Sequence, residues 1–398
     1  MTIAQEFAQT RFDQIELAIE AGEALEVRRI GDLARAEYVA VHDGMRDVVG
    51  ATLDFAARVT SPEEGEAIGR RVIERIMSSS GEAPQYGQSS LVEQVRSIAA
   101  GWHWHVTEFQ VTEDGDKVTF RLDPCGSGMR LETEGRYDGP AAWLRSERPS
   151  PSTFMQSGFP MYSNHCAEMT RAGLAAGSAT FVVEGWRERD CGVCFQHTYK
   201  RADAVPDETY RRVGLEPPTR ALNSASSGQL FTSGELADLE THPLDRAAAA
   251  VAAGDLASAR AALAESRSAW GVSMHGAYRR WIALLWEEVC LAIGDDALDT
   301  LLAATAPELV GHIRGGSARD WAGFWSMHLG LRSVREEGPQ TEFVLDPSTL
   351  LEPGCDRVQP GRLCAGLQRG LSTRGWSDAG GFDFVDGALV HVVRQGDG

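Results

Sequence analysis

The strongest constraint on how this chain folds is a repeat within it. Residues 102–124 lie on residues 325–347 without a gap, so that Trp102 meets Trp325, His105 meets His328, Gly115 meets Gly338 and Phe120 meets Phe343. Leu122-Asp123-Pro124 then meets Leu345-Asp346-Pro347. Upstream, the stretch around His42 resembles that around His275, with Arg46 standing against Arg279. Segments with this spacing in common are expected to share a fold. The extra residues of the first copy are expected in the Ser-, Gly- and Gln-rich stretch 78–90, because loops absorb insertions at little cost.

Periodicity fills in the unit that is repeated. Ile30, Leu33, Glu37, Val41, Met45, Val48, Thr52 and Phe55 recur at three- and four-residue steps, a helical stripe. Ser61-Pro62-Glu63-Glu64 reads as a helix start, with Ser61 as cap, Pro62 at the first helical position and Glu64 completing a capping box. A further helix is expected over 91–100. From Trp102 the alternation of Trp102, Trp104 and Val106 predicts a strand, which Phe109 and Val111 resume one residue out of phase, as at a bulge. Glu113-Asp114-Gly115-Asp116 then separates it from Val118, Phe120 and Leu122, a hairpin pattern.

The expected fold is therefore α+β, in two related halves of a few helices followed by an antiparallel hairpin or sheet. The boundaries drawn from the sequence are a first domain at 1–215, a Pro- and Ser-rich linker at 216–240, and a degenerate second copy at 241–398 that serves as scaffold or cover. A chain of 398 residues is long enough for two such cores.

The charge narrows the partners. With 57 acidic against 38 basic residues the formal charge is −19, which repels phosphate backbones and anionic lipid. Neither nucleic acid nor a membrane is the expected partner. A small molecule is. The polar, acidic N-terminus carries no secretion signal and no apolar run reaches the ~18 residues of a membrane span, so a cytoplasmic location is expected.

Metal-capable side chains gather between 123 and 200. The pieces are Asp123-Pro124-Cys125-Gly126-Ser127-Gly128, then Tyr162-Ser163-Asn164-His165-Cys166, then Cys191-Gly192-Val193-Cys194-Phe195-Gln196-His197. Four of the seven cysteines fall in them. In a reducing compartment such clustering points to metal or catalysis rather than to disulfides. Zinc takes thiolate sulfur and imidazole nitrogen in tetrahedral sets of four. Cys125, His165, Cys166, Cys191, Cys194 and His197 are the candidate ligands for zinc or another transition metal, and unliganded core thiols are the plain alternative. Glu168 is a candidate base beside a metal-bound water, against the commoner role of a solvated helix residue. His105 is a candidate catalytic imidazole, against a hydrogen-bonded structural histidine.

The chain holds no Gly-x-x-x-x-Gly-Lys loop, no His-Glu-x-x-His helix and no Gly-x-Ser-x-Gly elbow. The reading that follows is a metal-dependent, zinc-type enzyme that cleaves a small organic molecule by hydrolysis or as a lyase. The alternatives are a non-catalytic binding module with a structural zinc, and a metal-free enzyme with Cys125 as nucleophile.

Overall fold

The computed structural model describes residues 2–79, 90–184, 193–218, 228–313, 317–328, 331–337, 340–346, 358–373, 380–386 and 388–394. By contact the chain forms two units, one of residues 1–55 with 243–398 and one of residues 56–242. The first 55 residues group with residues 243–398. The division falls inside the long helix Ala24–Val59. Among the described residues no helix is long and apolar enough to cross a membrane. Both units mix helices with antiparallel sheet, so the α+β class holds.

In the unit of residues 56–242, the helix Leu91–Trp104 begins at a capping box. Ser90 Oγ accepts from Glu93 N–H, and the Glu93 carboxylate accepts from Ser90 N–H. Val95, Ala99 and Trp102 follow at helical spacing and pack into one core cluster. The strand expected from Trp102 therefore begins later. Trp102 and Trp104 form the last helical turn, and their alternation is the end of a stripe, not a pleat. Val106, with φ at 54°, belongs to the connection, which is what the phase slip in the sequence marks.

The strands of this unit are β1 (Phe109–Glu113), β2 (Lys117–Leu122), β3 (Arg145–Ser146), β4 (Phe159–Pro160), β5 (Val182–Val183) and β6 (Cys194–Tyr199). β1 and β2 form the expected hairpin, Val111 opposite Phe120, with Val118, Phe120 and Leu122 all buried. The sheet order is β1-β2-β6-β5, and β3 pairs with β4 in a separate two-stranded sheet. The helix Asn164–Ala175 lies in the chain between β4 and β5.

The other unit carries β7 (Leu331–Glu337), β8 (Gln340–Leu345), β9 (Gly381–Val385) and β10 (Ala388–Arg394), in the order β7-β8-β10-β9. A helix, Ala318–Met327, precedes β7 and starts at its own capping box between Ser317 and Asp320. The helix Pro360–Thr373 separates β8 from β9. In the same unit the buried His275 Nε2 and His328 Nδ1 share a hydrogen bond of 3.1 Å. On the helix Ala24–Val59, Asp47 accepts from Arg46, Nε to Oδ1 at 3.0 Å, and lies 2.8 Å from His312 Nε2.

Two details recur between the sheets. Trp102 Nε1 donates to Gln196 Oε1 at 3.3 Å, and Gln196 stands opposite Phe120. Trp325 Nε1 donates to His391 Nδ1 at 3.1 Å, and His391 stands opposite Phe343. His105 and His328 each form the C-cap of the helix before the sheet.

Candidate functional site

β2 ends at Leu122, and the chain turns through a cis Asp123–Pro124 peptide to Cys125. Gly126 fixes the path of this turn. A Cβ there would stand 1.5 Å from the His105 carbonyl oxygen, so only glycine lets the two backbones meet. Its N–H donates to Thr107 Oγ1 at 2.8 Å. The loop is thereby tied to the connection between helix and β1, and Cys125 is held in the core with 7% of its surface exposed.

Several donors converge on the Cys125 sulfur. Met129 N–H donates to Sγ at 3.4 Å, and Ser127 Oγ lies 3.8 Å away. Cys194, first residue of β6 and opposite Leu122 in the register, places its thiol in the same buried core as Cys125. That thiol is the largest influence lowering the Cys125 pKa, to about 6; burial opposes it, and the Met129 and Ser127 amides and the Ser127 hydroxyl add to the lowering. Cys194 moves the other way, raised by its bond to Cys125, by burial and by the charges of Cys125 and Cys166. Of the two sulfurs, Cys125 is the one drawn down and Cys194 the one pushed up.

The third thiol is held apart from this exchange. Cys166, on the helix Asn164–Ala175, lies 3.4 Å from His165 Nε2. The His165 Nδ1–H donates to the Tyr162 carbonyl at 2.7 Å, which leaves Nε2 as the acceptor for the Cys166 S–H. Burial lowers the His165 pKa to about 4, so the ring is neutral, and burial followed by the Cys125 charge pushes Cys166 up.

Of the six candidate ligands, Cys125, His165, Cys166 and Cys194 come into this electrostatic cluster, and Cys191 lies outside the described residues. His197 does not join. It is three positions from Cys194 on a strand and so faces the other side. There it lies 3.3 Å from Glu184 through Nε2 and 3.0 Å from Thr119 Oγ1 through Nδ1. Among the described residues no group of three or more His, Cys, Asp or Glu side chains is arranged to hold a metal ion.

Glu168 and His105 are engaged elsewhere. Glu168 is two residues from Cys166 on the same helix, a spacing that turns it to another side. It accepts from Ser152 Oγ and pairs with Arg171 Nε at 2.8 Å, buried at 2% exposure. His105 is buried against Trp102, ring centroids 5.4 Å apart, and contributes its carbonyl to the Gly126 crossing. The residues that sequence reasoning missed act through the backbone: the amides of Ser127 and Met129, and the Tyr162 carbonyl. The Gly-Ser-Gly after Cys125 was the only trace of the first two.

What fold and site define is an α+β protein whose buried Cys125 sulfur accepts from the Met129 amide, with a Cys166–His165 pair on the helix Asn164–Ala175. A scan of protein-family models matches none of them to this chain, and searches of curated proteins and of solved structures return no match.

Proposed function

We propose that the chain works by thiolate chemistry at Cys125, taking a small electrophile from solution. The observation that supports this most is the set of polar groups on its sulfur, with Met129 N–H donating to it at 3.4 Å and Ser127 Oγ 3.8 Å away. Ionisation makes it the nucleophile, and the buried neighbouring thiols stay protonated. Its low exposure restricts the partner to a small molecule, in keeping with the acidic surface. Cys125, Cys166, Cys194, Cys290 and Cys364 are all free, which suits the reducing setting proposed for the chain.

A zinc-type hydrolase or lyase on the same residues is the second reading. One observation favours it: His165 has its Nδ1–H committed to a carbonyl and its Nε2 turned to sulfur, the arrangement of a ligating imidazole. Against it, the described donors are not spaced as a ligand set, and Glu168 is tied to Arg171.

We read the two sheets as copies of one α-ββ-α-ββ unit. Their shared strand order, the capping boxes and the matched tryptophan bonds support this. The second copy has Leu389 opposite Leu345 where the first has Cys194 opposite Leu122, so the chemistry belongs to the first.

The test is alkylation of the native protein by iodoacetamide at neutral pH with peptide mass mapping, beside metal analysis of protein purified without chelator. Selective modification of Cys125 on metal-free protein is the expected result. Stoichiometric zinc with Cys125 protected would replace this reading by the second.

A further inference from the structure

The face of the first sheet turned away from Cys194 carries a second arrangement of reactive groups. Thr119 on β2 stands opposite His197 on β6, and Val182 on β5 stands opposite His197 on its other side, so Glu184 leaves β5 beside the same ring. Thr119 Oγ1 lies 3.0 Å from His197 Nδ1, and His197 Nε2 lies 3.3 Å from Glu184 Oε2. The other carboxylate oxygen, Oε1, accepts from Thr209 Oγ1 at 2.9 Å and from Tyr199 OH at 3.3 Å.

These partners settle which ring nitrogen carries the proton. An ionised carboxylate only accepts, and the two hydroxyl donors on Glu184 favour that state. His197 Nε2–H therefore donates to Glu184, which leaves Nδ1 bare to accept from the Thr119 hydroxyl. Hydroxyl, imidazole and carboxylate stand in the order of a nucleophile, its base and the group that orients the base. The site opens along β1, where Thr112 opposite Thr119 and Gln110 opposite Arg121 are both exposed on that face. Lys117 and Arg121 flank Thr119 on the same side of β2, each about 6.6 Å along the strand. Arg121 is paired with Asp123 at 3.0 Å, while Lys117 Nζ lies over the Tyr199 ring at 5.4 Å.

We infer that Thr119, His197 and Glu184 form an ester-cleaving site, with Lys117 selecting small esters whose acyl group carries a carboxylate. Thr119 Oγ attacks the ester carbonyl carbon as its proton passes to His197 Nδ1. An O–C bond forms, the bond from that carbon to the alcohol oxygen breaks, and the alcohol leaves with the electron pair and the proton from His197. Water then attacks the threonine ester, its proton passing to His197 and on to Thr119 Oγ as the acid is released. The balance is ester and water to acid and alcohol. The site is independent of the Cys125 reading, since it uses the opposite face of the sheet.

The experiment incubates the full-length, purified protein with the 4-nitrophenyl monoester of succinic acid, follows 4-nitrophenolate release, and maps the acyl group by peptide mass after an acid quench. Turnover with the succinyl group on Thr119 is the expected result. Thr119→Val and Glu184→Gln should each lower turnover at least about a hundredfold, the second because an amide N–H facing Nε2 turns the ring to the wrong tautomer. Thr119→Ser keeps the hydroxyl and should keep most of the turnover, which a packing role for the residue does not predict. Lys117→Met should lower the preference for this ester over 4-nitrophenyl acetate about tenfold, the equivalent of one charged hydrogen bond. No turnover by the folded protein, acylation confined to Cys125 or another residue, or turnover surviving in Thr119→Val or Glu184→Gln would overturn the site.

Discussion

Replacing Cys194 by Ala removes the group with the largest lowering effect on Cys125. A hydrogen bond to a charged group contributes about 1.5–3 kcal/mol, and one pH unit corresponds to about 1.4 kcal/mol. Because S–H is a weak donor, the lower end applies, and the Cys125 midpoint should rise by about one pH unit. The Met129 and Ser127 amides remain, so the midpoint should stay below that of a free cysteine, about 8.5. The assay is thiolate ultraviolet absorbance against pH, with the Cys125→Ser protein subtracted to isolate the one group. An unchanged midpoint would show that Cys194 is not the donor. A fall would mean that burial by Cys194, not its proton, dominates at this sulfur, and would refute the reasoning.

Gly126→Ala should cost at least about 3 kcal/mol in a denaturant melt, since its Cβ would overlap the His105 carbonyl and backbone has to shift to admit it. Trp325→Phe should cost about 1–2 kcal/mol by leaving buried His391 Nδ1 without its indole donor, with a smaller loss for Trp102→Phe, whose bond is half-buried; thermal melts of both variants give the comparison. Stability should fall as pH drops from about 6.5 towards 4, because the unfolded chain then takes up protons that buried His165 and His275, lowered to about 4 and about 3, refuse. Cys125 adds to the same slope, its contribution being complete above about 8.5 and lost as pH falls through about 6. Above about 8.5 the sign reverses, since the native state keeps the protons of Cys166 and Cys194 that the unfolded chain gives up; Tm measured against pH should therefore pass through a maximum.

The β1–β2 hairpin was legible because Val118, Phe120 and Leu122 alternate over a full strand and the acidic Gly turn precedes them. Trp102, Trp104 and Val106 misled because three alternating residues also fit the close of a helix, and the longer stripe through Val95, Ala99 and Trp102 decides the matter by packing. That Cys194 stands opposite Leu122, three residues before Cys125, depends on the pairing of β2 with β6, strands separated by a long stretch of chain whose register no local pattern announces. The exclusions are simpler. His197 lies three residues from Cys194 on a strand, and Glu168 two from Cys166 on a helix, so the geometry of each element turns them away once the element is known. The backbone donors were invisible for a different reason: any residue type supplies an amide, and only the turn fixed by Gly126 aims those of Ser127 and Met129.

The central claim is that one buried sulfur is ionised near neutrality while its neighbours are not. A thiolate absorbance titration of the unmodified protein, with Cys125→Ser as reference, tests it most directly. A single transition near pH 6 that disappears in the variant is the predicted result. No thiol ionising below about pH 8, or a transition that survives loss of Cys125, would contradict it.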